Sequence, residues 1–300
     1  MIDLHLHTTA SDGWLTPAQL VSRASGAGLT TISVTDHDTV AAVADASAAA
    51  RMAGLRVVPG IEITSVDDGR DVHLLGYFFD PASVVLARFL EGQRALRVSR
   101  ARDIGALLSA LGVPVDIEGV LASAAGRPGS SVGRPQLARA LVQAGHVQSV
   151  QEAFDRWLAA GQPAFAPRTG PSPAEVVAIV HQAGGVVSFA HPSVTRRDEL
   201  IAPLVEQGLD AIEVYHSDHT RDDERAYSAL ASRLGVLTSG GSDFHGHDPA
   251  VRQRSSPATR EQRGPAARPA RAPRNTLGAI SLPASAFERL EDRARSRAAS

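Results

Sequence analysis

The chain has no cysteine and no lysine. The first absence excludes disulfides, thiolate metal sites and a cysteine nucleophile. The second excludes Schiff-base chemistry: all 30 basic residues are arginine, so only arginine or protonated histidine can hold a phosphate by side-chain charge. Aromatic residues make up only 4%, so Leu, Val, Ile and Ala must fill the core, and the 43% hydrophobic content is enough to do so. A formal charge of −2 gives no global field toward nucleic acid or a membrane surface. No apolar run approaches the ~20 residues that span a bilayer. The opening MIDLHLHTTASDG has neither the basic start nor the long apolar run of a signal peptide. A cytoplasmic protein is expected, without a membrane contact and with no protein partner indicated.

What is present has the rhythm of β/α units. Strands are expected at residues 2–6, 30–35, 55–63, 72–79, 186–190, 211–215 and 236–239, with helices between most of them. Thr16-Pro17-Ala18-Gln19 and Ser172-Pro173-Ala174-Glu175 both read as capping boxes with proline in the first turn. Repeated units of this kind predict a parallel, TIM-like α/β barrel. Two stretches break the rhythm. Residues 93–167 read as a small all-helical insertion, with helices near 99–111, 117–125, 135–144 and 150–160, able to cover one mouth of the barrel. Residues 249–274 hold seven arginines and one acid among Pro, Ala and Ser, the composition of a disordered linker. That divides the chain into barrel parts at 1–92 and 168–248, the insertion, the linker, and a closing segment with a last helix at 275–300.

The chemistry lies in where histidines and carboxylates fall. His5 and His7 end the first strand, with Asp12 just beyond. His37 follows the second strand in VTDHD, Glu62 ends the third, and His73 lies in the fourth. His191 follows the fifth strand in FAHP, while Asp243 and His245 follow the last in GSDFHG. The HxH spacing puts two imidazoles on one face of a strand. In a parallel barrel all strand C-termini share one face, so six histidines and several carboxylates would meet there. Any one of them could be a loop or capping residue; together they are a metal-binding set. Imidazole and carboxylate without thiolate suit Mn, Zn or Fe, and the ligand number exceeds the four that one Zn needs. Close divalent ions generate a nucleophilic hydroxide and clamp both oxygens of an in-line displacement, which is phosphate-ester hydrolysis. His216 and His219, in EVYHSDH, could protonate a leaving oxygen or contact phosphate, or be ordinary loop residues. His146, His181 and His247 have no such placement.

HLHTTASDG, TDHD, PGIE, DVHLLGY, FAHP and GSDFHG occur in an order that resembles the PHP family, named for its polymerase and histidinol-phosphatase members. The resemblance covers roughly residues 1–92 and 168–248. It implies a distorted barrel of seven β/α units with two or three metal ions. It implies His5, His7, Glu62 and Asp243 as ligands of one ion, Asp12, His37 and His245 of another, and Glu62, His73 and His191 of a third. Asp12, His37, His191 and Asp243 would serve catalysis. The order and the insertion are most similar to the stand-alone nucleotide phosphatases and 5′-trimming exoribonucleases of the family, and SSVGRPQLARAL is similar to theirs. Arg134 is then implied as a phosphate ligand, at a helix start where free N–H groups also attract anions. The substrate expected is a nucleoside 3′,5′-bisphosphate, AMP or an RNA 5′ end. The rivals are a histidinol-phosphate phosphatase and, in another class, a nucleic-acid-binding module with a structural metal site. After GSDFHG the chain departs from the family pattern, and RNTLGAISLP stands as a displaced closing segment.

Overall fold

The computed structural model describes residues 1–126, 129–246 and 275–298. The expected linker at 249–274 and His247 lie outside them. Seven strands, β1 (Ile2–Leu6), β2 (Thr31–Val34), β3 (Arg56–Asp67), β4 (Arg70–Tyr77), β5 (Val186–Phe189), β6 (Ala211–His216) and β7 (Leu237–Gly241), are hydrogen-bonded in chain order. They curl into a nearly closed barrel. Its edges meet where His7 N donates to Phe244 O at 3.0 Å and Leu6 bridges Phe244. Outside it lie α1 (Pro17–Gly26), α2 (Val43–Ala53), α7 (Pro173–Gln182), α9 (Ile201–Glu206) and α10 (Arg221–Leu234), with the single turn α8 (Pro192–Thr195) after β5. Both expected capping boxes form, at Thr16/Gln19 and Ser172/Glu175.

One strand corrects the all-parallel expectation. β4 runs antiparallel to both β3 and β5. The cause is local: Asp68 and Gly69 both have positive φ, 48° and 70°, the backbone of a two-residue Asp-Gly hairpin turn. The chain therefore doubles back at once instead of crossing over through a helix. His73, near the start of β4 and paired with Thr64, comes to the same end of the barrel as the C-terminal half of β3.

The helices between β4 and β5 are α3 (Val84–Ala110), α4 (Ile117–Ala125), α5 (Arg134–Gln143) and α6 (Val150–Ala153), the last running on as a π-helical turn, Phe154–Leu158. The expected helix at 99–111 is the second half of the longer α3. Leu86 and Leu90 of its first half pack into the barrel-side core with Ile63 and Val176. Ala101, Ile104 and Leu108 of its second half build a separate core with Leu137 and Leu141 of α5. α3 is thus the shared beam between barrel and insertion. Gly105 makes the α3–α4 approach possible, since a Cβ there would lie 2.2 Å from Ile117 Cγ1.

The end of the chain returns to the barrel. Leu282 N donates to Ile2 O at 2.9 Å and Ile2 N donates to Ser281 Oγ at 3.1 Å. The last helix, α11 (Ala284–Ala298), buries Phe287 and Leu290 against Leu4 and Tyr77. Asn275, the only asparagine of the chain, accepts from His245 N and Gly246 N at 2.8 and 3.0 Å. The loop of GSDFHG is held by this clasp.

Candidate metal centre

β1 delivers His5 and His7 to the barrel mouth, both fully buried, and the loop after it delivers Asp12. That loop is set by Asp36, whose carboxylate accepts from Thr8 N at 2.7 Å, Thr8 Oγ1 at 2.6 Å and Ser11 Oγ at 2.5 Å. The VTDHD turn after β2 presents His37 while sending Asp38 the other way. Asp38 accepts from Thr64 N at 2.9 Å and from Arg97 Nε at 2.5 Å. Three non-glycine residues at the mouth, Asp38, His191 and Asp243, hold positive φ of 52°, 28° and 53°. Strain of this kind persists where the surroundings over-determine it.

Glu62 is the hub. Its Oε2 lies 3.3 Å from His5 Nε2, 3.2 Å from His7 Nε2 and 3.2 Å from His37 Nδ1; its Oε1 lies 2.8 Å from His73 Nδ1 and 2.9 Å from His191 Nε2. Asp243 Oδ1 is 3.1 Å from His7 Nε2 and 3.4 Å from His5 Nε2, and Asp12 Oδ1 is 3.3 Å from His245 Nε2. All nine expected metal-type residues are therefore gathered at one place. Two donor sets stand out, His7–Asp12–His37–His245 and His5–His7–Glu62–Asp243, and His37–Glu62–His73 forms a third group.

Divalent ions fit these residues. Both ring nitrogens of His7 and Nδ1 of His37 are buried yet hydrogen-bonded to nothing, despite the carboxylates beside them. Buried polar atoms without partners are costly, and here the donor atoms of each set lie within 4.8 Å of one another. That is the spacing of ligands around a shared cation with bonds of about 2 Å. Without a cation, protons must supply the positive charge, and they cannot supply it evenly. Burial opposes an imidazolium at both His7 and His37. At His7 the adjoining carboxylates of Asp243 and Glu62 win and push the pKa up to about 10. At His37 burial wins, with His7 and His73 adding to it against the pull of Glu62 and Asp12, and the pKa falls to about 3. Burial also works against the charge of Asp12, Glu62 and Asp243, but the surrounding histidines hold all three well below the usual carboxylate range.

Some working residues escaped the sequence reading. Glu213, wholly buried on β6, takes His5 Nδ1 at 2.9 Å on one oxygen and His191 N at 2.8 Å on the other. A carboxylate behind a ligating imidazole fixes its orientation and raises its basicity. The available signal was a lone acid inside an apolar strand, AIEVYH. His216 Nδ1 accepts from Asp218 N at 3.1 Å, which leaves the proton on Nε2, 3.6 Å from Asp243 Oδ2. His219 stands one layer back, its Nδ1 donating to Val214 O at 2.7 Å and its ring 5.3 Å from that of His216. His181 pairs with Asp210 at 2.8 Å and His146 with Pro114 O at 2.8 Å, both apart from the cluster.

Facing the metal-type donors is a wall of guanidinium groups. Asp12, His37, His73, Arg97, Arg134 and Arg168 line one cleft of about 120 Å³. Arg97 bridges Asp38, Thr64 Oγ1 and Val132 O. Arg134 lies 3.4 Å from Asp71 Oδ2, Arg168 Nε 3.3 Å from Asp71 Oδ1, and Arg100 beside them 4.0 Å from Asp71 Oδ2. Four guanidinium groups thus share two carboxylates, Asp38 and Asp71. Burial, then Arg97, lowers Arg168 to about 9 despite Asp71 and Asp38, and burial, then Arg134, lowers Arg100 to about 10. The excess positive charge calls for an anion. Sequence reasoning found only Arg134 of this group, because arginines on α3 and after the insertion carry no motif of their own.

A β/α barrel whose mouth gathers six imidazoles and three carboxylates around shared points is the architecture of a metal-dependent hydrolase. Residues 3–164 match the PHP domain. The chain is 36% identical over 248 residues to a 5′-3′ exoribonuclease of Haemophilus influenzae, covering 81% of this chain and 89% of the relative. It is 35% identical over 250 residues to a 3′,5′-nucleoside bisphosphate phosphatase of Chromobacterium violaceum, covering 81% and 87%. A solved structure from Bifidobacterium adolescentis, assigned to the metal-dependent phosphoesterases, superposes with a TM-score of 0.82 at 32% identity over 97% of this chain and 96% of that one. The chain belongs to the PHP family, and it is a metal-dependent phosphoesterase. Among the described residues no helix is long and apolar enough to cross a membrane.

Proposed function

We propose that the protein removes or cleaves a phosphate ester on a nucleotide that carries a second phosphate: a nucleoside 3′,5′-bisphosphate or the 5′ end of an RNA, in the cytoplasm. The observation that carries this reading is the two-walled cleft, with metal-type donors on one side and an under-neutralised arginine wall on the other. A single phosphate occupies one wall; two phosphates one nucleotide apart engage both. His5, His7, Glu62 and Asp243 would hold one ion, Asp12, His37 and His245 another, and Glu62 with His73 and His191 a third, a mixed imidazole and carboxylate set that suits Mn, Zn or Fe. Bound ions would activate water for attack and neutralise charge on the phosphoryl oxygens. The chain's own residues do the rest. Arg134 and Arg168 orient the second phosphate, bidentate geometry being natural to guanidinium. Glu213 keeps His5 aimed at the cluster, and the Nε2 proton of His216 faces the mouth, where a leaving oxygen can take it.

The test is a substrate panel after reconstitution with Mn: a nucleoside 3′,5′-bisphosphate, AMP, a 5′-phosphorylated RNA and histidinol phosphate. The reading expects the bisphosphate or the RNA to be turned over fastest. It also expects Arg134→Ala to raise KM for them about tenfold or more, with a smaller effect on a simple monoester. Histidinol phosphate as the best substrate would overturn it.

A further inference from the structure

Two carboxylates meet the four arginines of the cleft, and they are held in opposite ways. Asp38, at the turn after β2, is fully buried and tied, accepting from Thr64 N at 2.9 Å and Arg97 Nε at 2.5 Å. The Asp71 side chain is 22% exposed and lines the cleft itself. Three guanidinium groups stand around it, those of Arg168, Arg134 and Arg100, at 3.3, 3.4 and 4.0 Å. The Arg134 contact is a hydrogen bond. Arg168 Nε and Arg100 Nη2, by contrast, are buried with no hydrogen-bond partner among the described residues. A carboxylate that braces an arginine engages it as Asp38 engages Arg97. Asp71 is instead loosely shared, in the place where an incoming anion would have to go.

The strand explains that place. Asp71 and His73 stand two residues apart on β4 and so share a face, and both line the cleft. One strand thus carries a metal-type residue and, a step nearer the hairpin turn, a negative charge set before the arginines. Paired with Val66 of β3, and with a short side chain, Asp71 cannot carry its charge far from the cleft when an anion arrives.

We propose that Asp71 is a built-in competitor for the second phosphate: it occupies the arginines in the free protein, yields them to the substrate and reclaims them as product leaves. This rests on the reading of the cleft under Proposed function. A terminal phosphate carries a charge of roughly −1.5 to −2 and three acceptor oxygens, so it wins the forks of Arg134 and Arg168 from a single carboxylate. The displaced carboxylate stays beside it, and repulsion of like charges lowers the affinity that the arginines would otherwise reach. The consequence falls on release. Removal of one phosphate at the metal-type donors leaves the other on the arginine wall, still part of the product. Without a competitor, a wall of guanidinium groups in a cleft of about 120 Å³ would retain it. A monoester with no second phosphate does not engage the wall and is indifferent to Asp71.

The experiment compares KM and kcat of the Mn-loaded full chain on a nucleoside 3′,5′-bisphosphate and on phenyl phosphate, for wild type, Asp71→Asn, Asp71→Ser and Arg134→Ala. Both Asp71 variants should lower KM for the bisphosphate about tenfold with no gain in kcat, while phenyl phosphate keeps its wild-type constants. A bracing role cannot give that result, because loosened arginines bind phosphate less well. A bisphosphate KM that rises or stays unchanged in the Asp71 variants, or an equal fall for phenyl phosphate, overturns the competitor. The reading of the cleft then still stands so long as Arg134→Ala raises KM for the bisphosphate. A bisphosphate that is not hydrolysed, or whose KM ignores Arg134→Ala, overturns both.

Discussion

Glu62 and Asp210 are both buried carboxylates with a histidine at hydrogen-bonding distance, and they could hardly differ more. Asp210, at the opposite end of the strands, is fully served by protein. Its Oδ2 accepts from His181 Nε2 at 2.8 Å and Val187 N at 3.0 Å, and its Oδ1 accepts from Arg297 at 2.7 Å with Arg293 at 3.7 Å. Glu62 is ringed by imidazoles, some of which hydrogen-bond nothing. A satisfied His–Asp pair is a structural tie; an over-supplied and unsatisfied one is a socket. The difference lies in what remains unpaired once the protein has been counted.

The comparison is broken most forcefully at the socket. Asp243→Ala or His37→Ala should lower turnover on the order of a thousandfold, the scale of losing a directly engaged electrostatic group, while circular dichroism and thermal unfolding stay near wild type. Retained turnover in well-folded variants of known metal content would end the assignment. Glu213→Gln should act at one remove, lowering metal affinity or activity by about 10–100-fold, read by calorimetric Mn titration as well as by rate. Affinity and rate both equal to wild type would show that its bond to His5 does no orienting. Asp210→Ala should leave kcat/KM unchanged and cost about 3 kcal/mol of unfolding free energy, the scale of breaking a buried ion pair. The pKa of Asp210 is lowered below 3.8, chiefly by its bond from His181 once the opposing effect of burial is overcome. Its contribution is therefore present above pH 3.8 and is lost as pH falls through the lowered value. Wild type and variant should converge in stability only in strong acid; a constant gap down to that range would contradict the ion-pair account.

The barrel and the gathering of the nine metal-type residues at its mouth were legible because most of them stand at or just beyond a strand end, where period-two patterning and turn residues mark the place. Glu62 and His73 lie within β3 and β4, which run past their expected bounds at the hairpin that joins them. The β3–β4 hairpin was legible too, in Asp68-Gly69, but its signal is two residues long and was outweighed by the β/α rhythm around it. Glu213, Arg97 and Arg168 were hidden for another reason. Each acts through contacts with residues remote in sequence, such as His5 to Glu213 and Asp38 to Arg97; Glu213 had only its place in an apolar strand to mark it, and nothing local distinguishes the two arginines from surface charges. The length of α3 was underestimated because it serves two cores in succession, so no single apolar face runs through it.

The central claim is that the mouth around Glu62 works as a socket for divalent ions. The most direct test measures metal content and phosphate release from a nucleoside 3′,5′-bisphosphate on the same sample, before and after chelation and after Mn is restored. The account predicts more than one ion per chain, loss of release on chelation, and recovery in step with bound Mn. Full release from chelated, metal-free protein would contradict it.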